Sequence, residues 1–507
     1  MDGIQRTPWR EGVRAVAIGV VLIALGHDLL ALLAQTAIWP ADFASYYVPA
    51  RAAISFPGVN VYDYGGLLRL NATQQYVTGP FYPYIYPPFA LLALRPLAAL
   101  PWSVASTLWA VCSHACAIGS AWLLATSFTL VLRRGASAEG ADARIRAVHQ
   151  FLSSTELRLG AYAFPLVPFA VAASVFLLSW PTWDTYYWGQ INFVVVFLLL
   201  IAFYADLSGH PVVAGAAVAL AGGLKLTPLI FLGYFAIRGA WKALAVGAIG
   251  AGLVFATPLL FFPAQDYDHL RVELTLLDSM FVLGDHNESF IAIFPHVAAL
   301  LGHGSAATLT RAETLGEAVA GLIGLITVIA LGAARWLRPR SREGAGENVL
   351  SVAAVFAPTV WLSFALTLAA YELVTPLVWS HFYVVAMPCT VMLAAYPLLA
   401  PRTLSTRLQT VTILVGCVGI ALLTCELPFG ADRGNPGPPG PWALFLLNLR
   451  PLALGLVWLL ALTPLLQTAI SNCHGGRAVA AAETLGEVSA DTDLEYDHAA
   501  RALPQQH

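Results

Sequence analysis

The stretch "TAIWPADFASYYVPAR", residues 36–51, sets one carboxylate, Asp42, among aromatic and small residues just where a long apolar run ends. Comparable isolated polar groups stand at the ends of other apolar runs. They are Asp184, Gln190 and Asn192 in "DTYYWGQIN", Lys225 in "GGLKLTP", Asn287 in "GDHNES", and Trp379 and His381 in "TPLVWSHFY". A polar group at the edge of lipid is costly unless it has a partner or a task. A carboxylate can take a proton, an ammonium can hold an anion, an imidazole can donate to a phosphate or a hydroxyl, and side-chain amides suit hydroxyl recognition. Lys225 is one of only two lysines in the chain. Beside Gly222 and Gly223 it is badly placed for lipid and well placed for an anion, and the helix start after Thr227 and Pro228 adds partial positive charge. The structural alternatives are an acid capping the next helix, a snorkelling lysine, a packed histidine, and amides that join interhelical bonds.

The elements that position these groups must be membrane helices. A chain of 507 residues with 58% apolar and 11% charged residues cannot supply the polar surface of a soluble domain of that size. Runs at 13–37, 103–132, 160–180, 191–206, 243–262, 306–334, 350–370, 379–399, 408–425 and 442–469 approach or exceed the roughly 20 residues that cross a bilayer as a helix. Isolated strands would leave backbone groups unpaired in lipid, and the alternating segments of a barrel are absent. The first run carries His27 and Asp28 and ends without a small-residue cleavage pattern, so it reads as a retained helix. "CSHAC" puts Cys112 and Cys116 on one helix face and turns His114 away from them, which argues against a metal site and for packing.

Arginines mark one side. Arg6, Arg10 and Arg14, then Arg133 to Arg158, then Arg238 with Lys242, then Arg335 to Arg342, then Arg402 and Arg407 recur at alternate connections, which the positive-inside rule makes cytoplasmic. Parity requires residues 207–240 to cross an even number of times, which a hairpin of short helices at 211–223 and 227–238 satisfies. About ten to twelve crossings result, with both termini inside and residues 1–470 forming one unit. Residues 38–101, rich in Tyr and Pro, become an external loop ordered by interfacial helices, and 471–507 a disordered cytoplasmic tail. All the polar groups singled out then fall on or toward the external face.

Taken in order, the motifs resemble family 87 of the glycosyltransferases. An Asp follows the first span, "YPP" ends an aromatic-rich loop at Tyr86, "GQxN" opens a later span, "KxxP" sits in a short hairpin, "NxS" in an external loop, and a Pro precedes "WSH". The resemblance covers roughly residues 14–400. It implies an all-α, GT-C-like polytopic bundle and an inverting, metal-independent transfer of mannose or a related sugar such as arabinose. The donor would be a polyprenyl phosphate and the acceptor an external glycan or glycolipid. It makes Asp42 the catalytic base and Lys225, His381 and Arg51 the phosphate-binding set. Gln190, Asn192, Asn287, Tyr46, Tyr86 and Trp379 would meet sugar or acceptor, with Asp28 a rival base or half of a buried pair with His27. Two departures bear on the acceptor rather than the reaction: Phe382 stands where the family often has a second histidine, and Glu288 where it has glutamine.

No cofactor or metal is called for, since Asp266, Asp268, Asp278 and Asp285 lack compact ligand spacing. No Gly-rich phosphate loop points to a nucleotide sugar, and the expected partners are the lipid bilayer, the donor and the acceptor, with no nucleic acid. A bacterial inner membrane is the expected location. The competing readings are a transporter or flippase, which would show related halves, and a noncatalytic scaffold.

Overall fold

The computed structural model describes residues 8–35, 37–138, 141–159, 162–281, 287–336, 349–376, 378–400, 405–425, 446 and 448–467. Readings that fall on the tail, on residues 426–441 and on Asp285 lie outside them. The architecture is all-α and polytopic. Helix α1 (Pro8–Gln35) turns Leu22, Ile23, Leu29 and Leu30 outward, as a lipid-facing helix must, and buries Asp28. Three short helices follow, α2 (Ala41–Ser55), α3 (Tyr64–Gln74) and α4 (Pro88–Ala98), before the long α5 (Trp102–Ser137). Helix α2 is enclosed by protein on nearly every side. Pro87, with φ of −55° and ψ of 149°, is extended and Pro88 starts α4, because a proline disfavours helix in the residue before it and suits the first helical position.

The expected span at 160–180 is divided. After α6 (Ala143–Thr155), strands β1 (Leu157–Leu159) and β2 (Tyr162–Phe164) pair antiparallel. Helix α7 (Leu166–Leu177) then meets α8 (Trp180–Trp188) at a 56° bend. Pro181 sits at the start of α8, where its missing N–H costs nothing.

Helix α9 (Asn192–Leu207) leads into the helical pair α10 (Pro211–Leu224) and α11 (Ile230–Arg238), joined through a 3-10 turn at Thr227–Leu229, and then α12 (Trp241–Ala256). Helices α10 and α12 touch backbone to backbone. A Cβ on Gly215 would lie 2.3 Å from the Ala243 carbonyl oxygen, so only glycine allows this approach. Beyond α13 (Gln265–Phe281) and α14 (Ile293–Leu300) come α15 (Ala306–Trp336), α16 (Val349–Leu373), α17 (Met387–Leu399), α18 (Thr406–Thr424) and α19 (Leu449–Gln467). Among the described residues, 7 helices are long and apolar enough to cross a membrane, or 8 with the bent pair counted as one span.

The two ends of α9 differ in chemistry. Its C-terminal end meets a basic belt, where Arg238 pairs with Asp206, Arg134 donates to the Leu207 carbonyl at 2.7 Å, and Arg335 donates to the carbonyls of Ala236 and Ile237. Its N-terminal end carries Asn192, about 24 Å away along a 16-residue helix.

Candidate functional site

Asp42 lies in the first turn of α2, half-buried, where the unpaired amides of a helix start favour a negative charge. Phe43, beside it, stacks on Trp102 and Trp109 with ring centroids 5.5 and 5.3 Å away and fixes α2 against α5. Tyr46 stands one turn beyond Asp42 on the same face. Arg51 stands nine residues on, which in a helix is the opposite face and about 13 Å along the axis. Its guanidinium closes the C-terminus of α4, donating to the carbonyls of Ala98 and Ala99 at 2.9 Å each. The structure therefore does not bring Arg51 to the expected phosphate-binding set.

The turn between α8 and α9 delivers Gln190. Gly189 ends α8 with φ of 69°, and two reverse hydrogen bonds close the helix, Gly189 N to Tyr186 O and Gln190 N to Thr185 O, both 3.0 Å. A Cβ on Gly189 would lie 2.8 Å from Pro40 Cβ and 2.9 Å from Phe43 Cβ, so a glycine here lets the start of α2 press on the turn. Trp109 Nε1 locks the contact by donating to the Gly189 carbonyl at 2.7 Å. Gln190 then donates through Nε2 to the Asp42 carboxylate, while its Oε1 accepts from the hydroxyls of Tyr46 and Tyr86, each at 3.0 Å. Burial pushes the Asp42 carboxyl up to about 6, against the opposing pull of His381 and the Gln190 hydrogen bond; Asp184 adds a further upward push.

Two residues past Gln190, Asn192 donates to the His381 carbonyl at 3.1 Å, and its amide oxygen accepts from Lys225 Nζ at 3.2 Å. Lys225 also sits 3.3 Å from the Phe382 ring centroid. A short 3-10 turn, Ser380–Val384, presents His381, and Trp379 stacks on its imidazole at 5.8 Å. Asp42, Tyr46, Tyr86, Gln190, Asn192, Lys225, Trp379 and His381 thus form one connected region built from α2, the residues before α4, the α8–α9 turn, the α10 end and the 3-10 turn.

Two acids belong to this region that sequence reasoning gave no role. Asp184, buried, accepts from Ser380, from Trp188 Nε1 at 3.1 Å, and from His381 Nδ1 at 3.3 Å, which fixes the imidazole and leaves Nε2 buried without a hydrogen-bond partner. Glu372, buried at the end of α16, lies within electrostatic range of Lys225 with one carboxylate oxygen unpartnered. The signal for Asp184 was its place in the same short segment as Gln190 and Asn192, and for Glu372 an acid closing an otherwise apolar run.

Asn287 is used up in bracing. Its side chain accepts from the amides of Ser289 and Val378 at 3.0 and 3.2 Å and donates to the Pro376 carbonyl at 3.2 Å. Beside it, Glu288 pairs with Arg450 at 2.8 and 3.0 Å, both buried. Asp28 does not pair with His27, whose Nδ1 meets the Leu177 carbonyl at 2.9 Å. It is held instead by His114 and by the Tyr186 hydroxyl, both at 2.8 Å, and Gln35 closes the network by bonding His114 Nε2 through its amide oxygen and donating to the Tyr186 backbone carbonyl. That network ties α1 and α5 to α8 and so supports the turn that carries Gln190.

Among the described residues, no three His, Cys, Asp or Glu side chains gather as metal ligands. The arrangement offers a half-buried carboxylate with a raised pKa, an ammonium, a fixed imidazole and several hydroxyl-binding groups. The family model for glycosyltransferase family 87 matches residues 84–358, a stretch that includes Tyr86, Gln190, Asn192, Lys225 and Asn287. The chain is also 26% identical over 380 residues to the polyprenol-phosphate-mannose-dependent alpha-(1-2)-phosphatidylinositol pentamannoside mannosyltransferase of Mycolicibacterium smegmatis, covering 74% of this chain and 75% of that protein. No solved structure matches.

Proposed function

The chain belongs to glycosyltransferase family 87, and we propose that it transfers mannose, or a related monosaccharide such as arabinose, from a polyprenyl phosphate to a glycan or glycolipid, with inversion at the anomeric carbon. The lipid-linked donor is carried over from the Mycolicibacterium smegmatis relative, whose name states that dependence. The observation that carries the reading is the junction at Gln190. It joins Asp42, Tyr46 and Tyr86, and the adjacent Asn192 leads to Lys225 and His381.

In this reading the acceptor hydroxyl gives its proton to Asp42 as its oxygen bonds to the anomeric carbon. The bond from that carbon to the phosphate oxygen breaks, and its electron pair leaves with the phosphate. One carboxylate acting in one displacement gives inversion. Lys225 and His381 Nε2 meet the charge that develops on the phosphate, which makes a metal ion unnecessary to the step. Asp184 is a positioning residue that holds His381. Tyr46, Tyr86, Gln190, Asn192 and the Trp379 face are available to sugar hydroxyls and ring edges.

The basic belt at the far end of α9 supports a reading in which the site faces the outer side of a bacterial inner membrane and the termini are cytoplasmic. The deciding experiment offers purified protein in lipid nanodiscs a panel of polyprenyl-phosphate sugars and acceptors, with and without a chelator. Transfer with inverted anomeric configuration, unaffected by the chelator and lost in Asp42→Asn, is expected. Counterflow of lipid-linked sugar in liposomes, without transfer and unchanged by Asp42→Asn, would instead establish a transporter.

A further inference from the structure

The geometry points to a second carbohydrate-binding site, a cleft between residues 60–65 and α13 that takes the distal sugars of an extended, uncharged acceptor glycan; the word acceptor rests on the function proposed above. The cleft has a volume of 450 Å³ and is lined by Asn60, Tyr62, Asp63, Tyr64, His269 and Glu273, among others. That volume is within the range of small-ligand sites, about 300–1,000 Å³.

The lining selects the ligand by its chemistry. Two carboxylates, an amide and an imidazole can each accept or share hydrogen bonds with neighbouring hydroxyls, and two tyrosines supply ring edges and faces for C–H groups. Among the described residues no lysine or arginine is in the lining itself; Arg69 pairs with Asp63 at 3.9 Å from beside it, and Glu273 would repel a phosphate or carboxylate. Among the described residues Val272 is the one aliphatic side chain in the lining, too little for an acyl chain. A polyhydroxylated neutral ligand fits what remains.

The cleft shares a wall with the site around Asp42. The Tyr62 hydroxyl donates to the Tyr86 carbonyl at 2.8 Å, and the Tyr86 hydroxyl donates to Gln190, which holds Asp42. Along the other side the Tyr64 hydroxyl donates to the Phe81 carbonyl at 2.9 Å, and the next residue, Tyr82, donates its backbone N–H to Ser45 on α2 at 2.6 Å. Tyr82 is 47% exposed, and its hydroxyl lies within electrostatic range of both Asp42 and Tyr64. An acceptor whose reacting hydroxyl sits at Asp42 can therefore run over Tyr82 and Tyr64 into the cleft. The walls are built for it, because Asp63 caps α3 by accepting from Gly66 N at 2.9 Å. Buried Asp266, with one carboxylate oxygen unpartnered, stands 3.6 Å from His269 Nδ1.

The test uses octyl α-mannosides of one, two and four sugars as acceptors for the full chain in nanodiscs, with Glu273→Ala and His269→Ala, neither of which touches the Asp42 region. KM should fall as the acceptor lengthens. Each variant should raise KM for the four-sugar acceptor by about tenfold, the loss of one or two hydrogen bonds, and leave the one-sugar acceptor unchanged. Saturation-transfer NMR reads binding of the four-sugar probe without catalysis. Binding that weakens in both variants supports the cleft even if no transfer occurs, in which case the proposed reaction falls and the site stands. Equal KM for all lengths, or four-sugar binding that is the same in wild type and variants, overturns it.

Discussion

Gln190 turns its amide nitrogen to the Asp42 carboxylate and its amide oxygen to the hydroxyls of Tyr46 and Tyr86, so that one side chain orients the acid and lowers its proton affinity against the effect of burial. Asp42 is a useful base only when ionised, and burial raises its pKa to about 6. Transfer should rise with pH through about 6 and level off above it, falling about tenfold per unit below. Asp42→Asn should lose about 10² to 10⁴ in kcat. Initial rates across pH, with melting curves to show that the variant is folded, check both.

Gln190→Leu removes the hydrogen bond that lowers the Asp42 pKa and takes away the acceptor that the buried Tyr46 and Tyr86 hydroxyls share. The acid limb of the pH profile should move above 6, and kcat should drop about 10–100-fold, the scale of a lost bond to a charged group. An unmoved acid limb would mean that Gln190 does not govern Asp42.

The all-α membrane class was legible because a run of about 20 apolar residues admits few other structures. Partners were not legible. Asp28 and His114 lie 86 positions apart, and Glu288 and Arg450 lie 162 apart, so only the folded chain brings each pair together. Reading His114 as turned away from the cysteines was sound helix geometry, but it could not say that the ring faces α1. Arg51 stands apart from the other candidate residues for a local reason: nine residues along a helix is half a turn out of phase with Asp42. Strand β2 was absorbed into the apolar run at 160–180 because periodicity does not separate a short strand from the start of a buried helix.

Gly189→Ala tests how tightly the α8–α9 turn is set. The new methyl meets Pro40 and Phe43 at less than 3 Å, and φ of 69° costs a non-glycine residue about 1–2 kcal/mol before any clash. Thermal stability should fall and activity should fall with it, because α2 must retreat from Gln190. Unchanged melting and rate together would contradict the close approach.

Asp184→Asn separates orientation from charge at His381. The amide keeps the shape of the carboxylate but loses its charge and one of two acceptor oxygens, of which Oδ1 takes Trp188 and Oδ2 takes Ser380 and His381. We expect kcat to fall about 10–100-fold with donor KM little changed, because His381 is released from its fixed orientation. His381→Gln should then add little further loss on the Asp184→Asn background, since both act through the same imidazole. Additive losses would place the two residues in separate roles.

Glu288 and Arg450 form a buried pair that fastens the loop after α13 to α19, with the Arg450 guanidinium also donating to the Cys425 carbonyl at 2.7 Å and the Tyr383 hydroxyl to the Glu288 carbonyl at 2.7 Å. Removing one partner strands the other charge in the protein interior, which typically costs about 3–5 kcal/mol. Arg450→Met and Glu288→Leu should each lower thermal stability sharply. The double replacement should recover much of the loss, because two apolar side chains leave no charge to solvate. Activity should follow stability, since Glu288 leads through Tyr383 to the turn that carries His381 but does not touch the Asp42 region itself. Activity lost in the double variant at full stability would instead make the pair part of the reacting site.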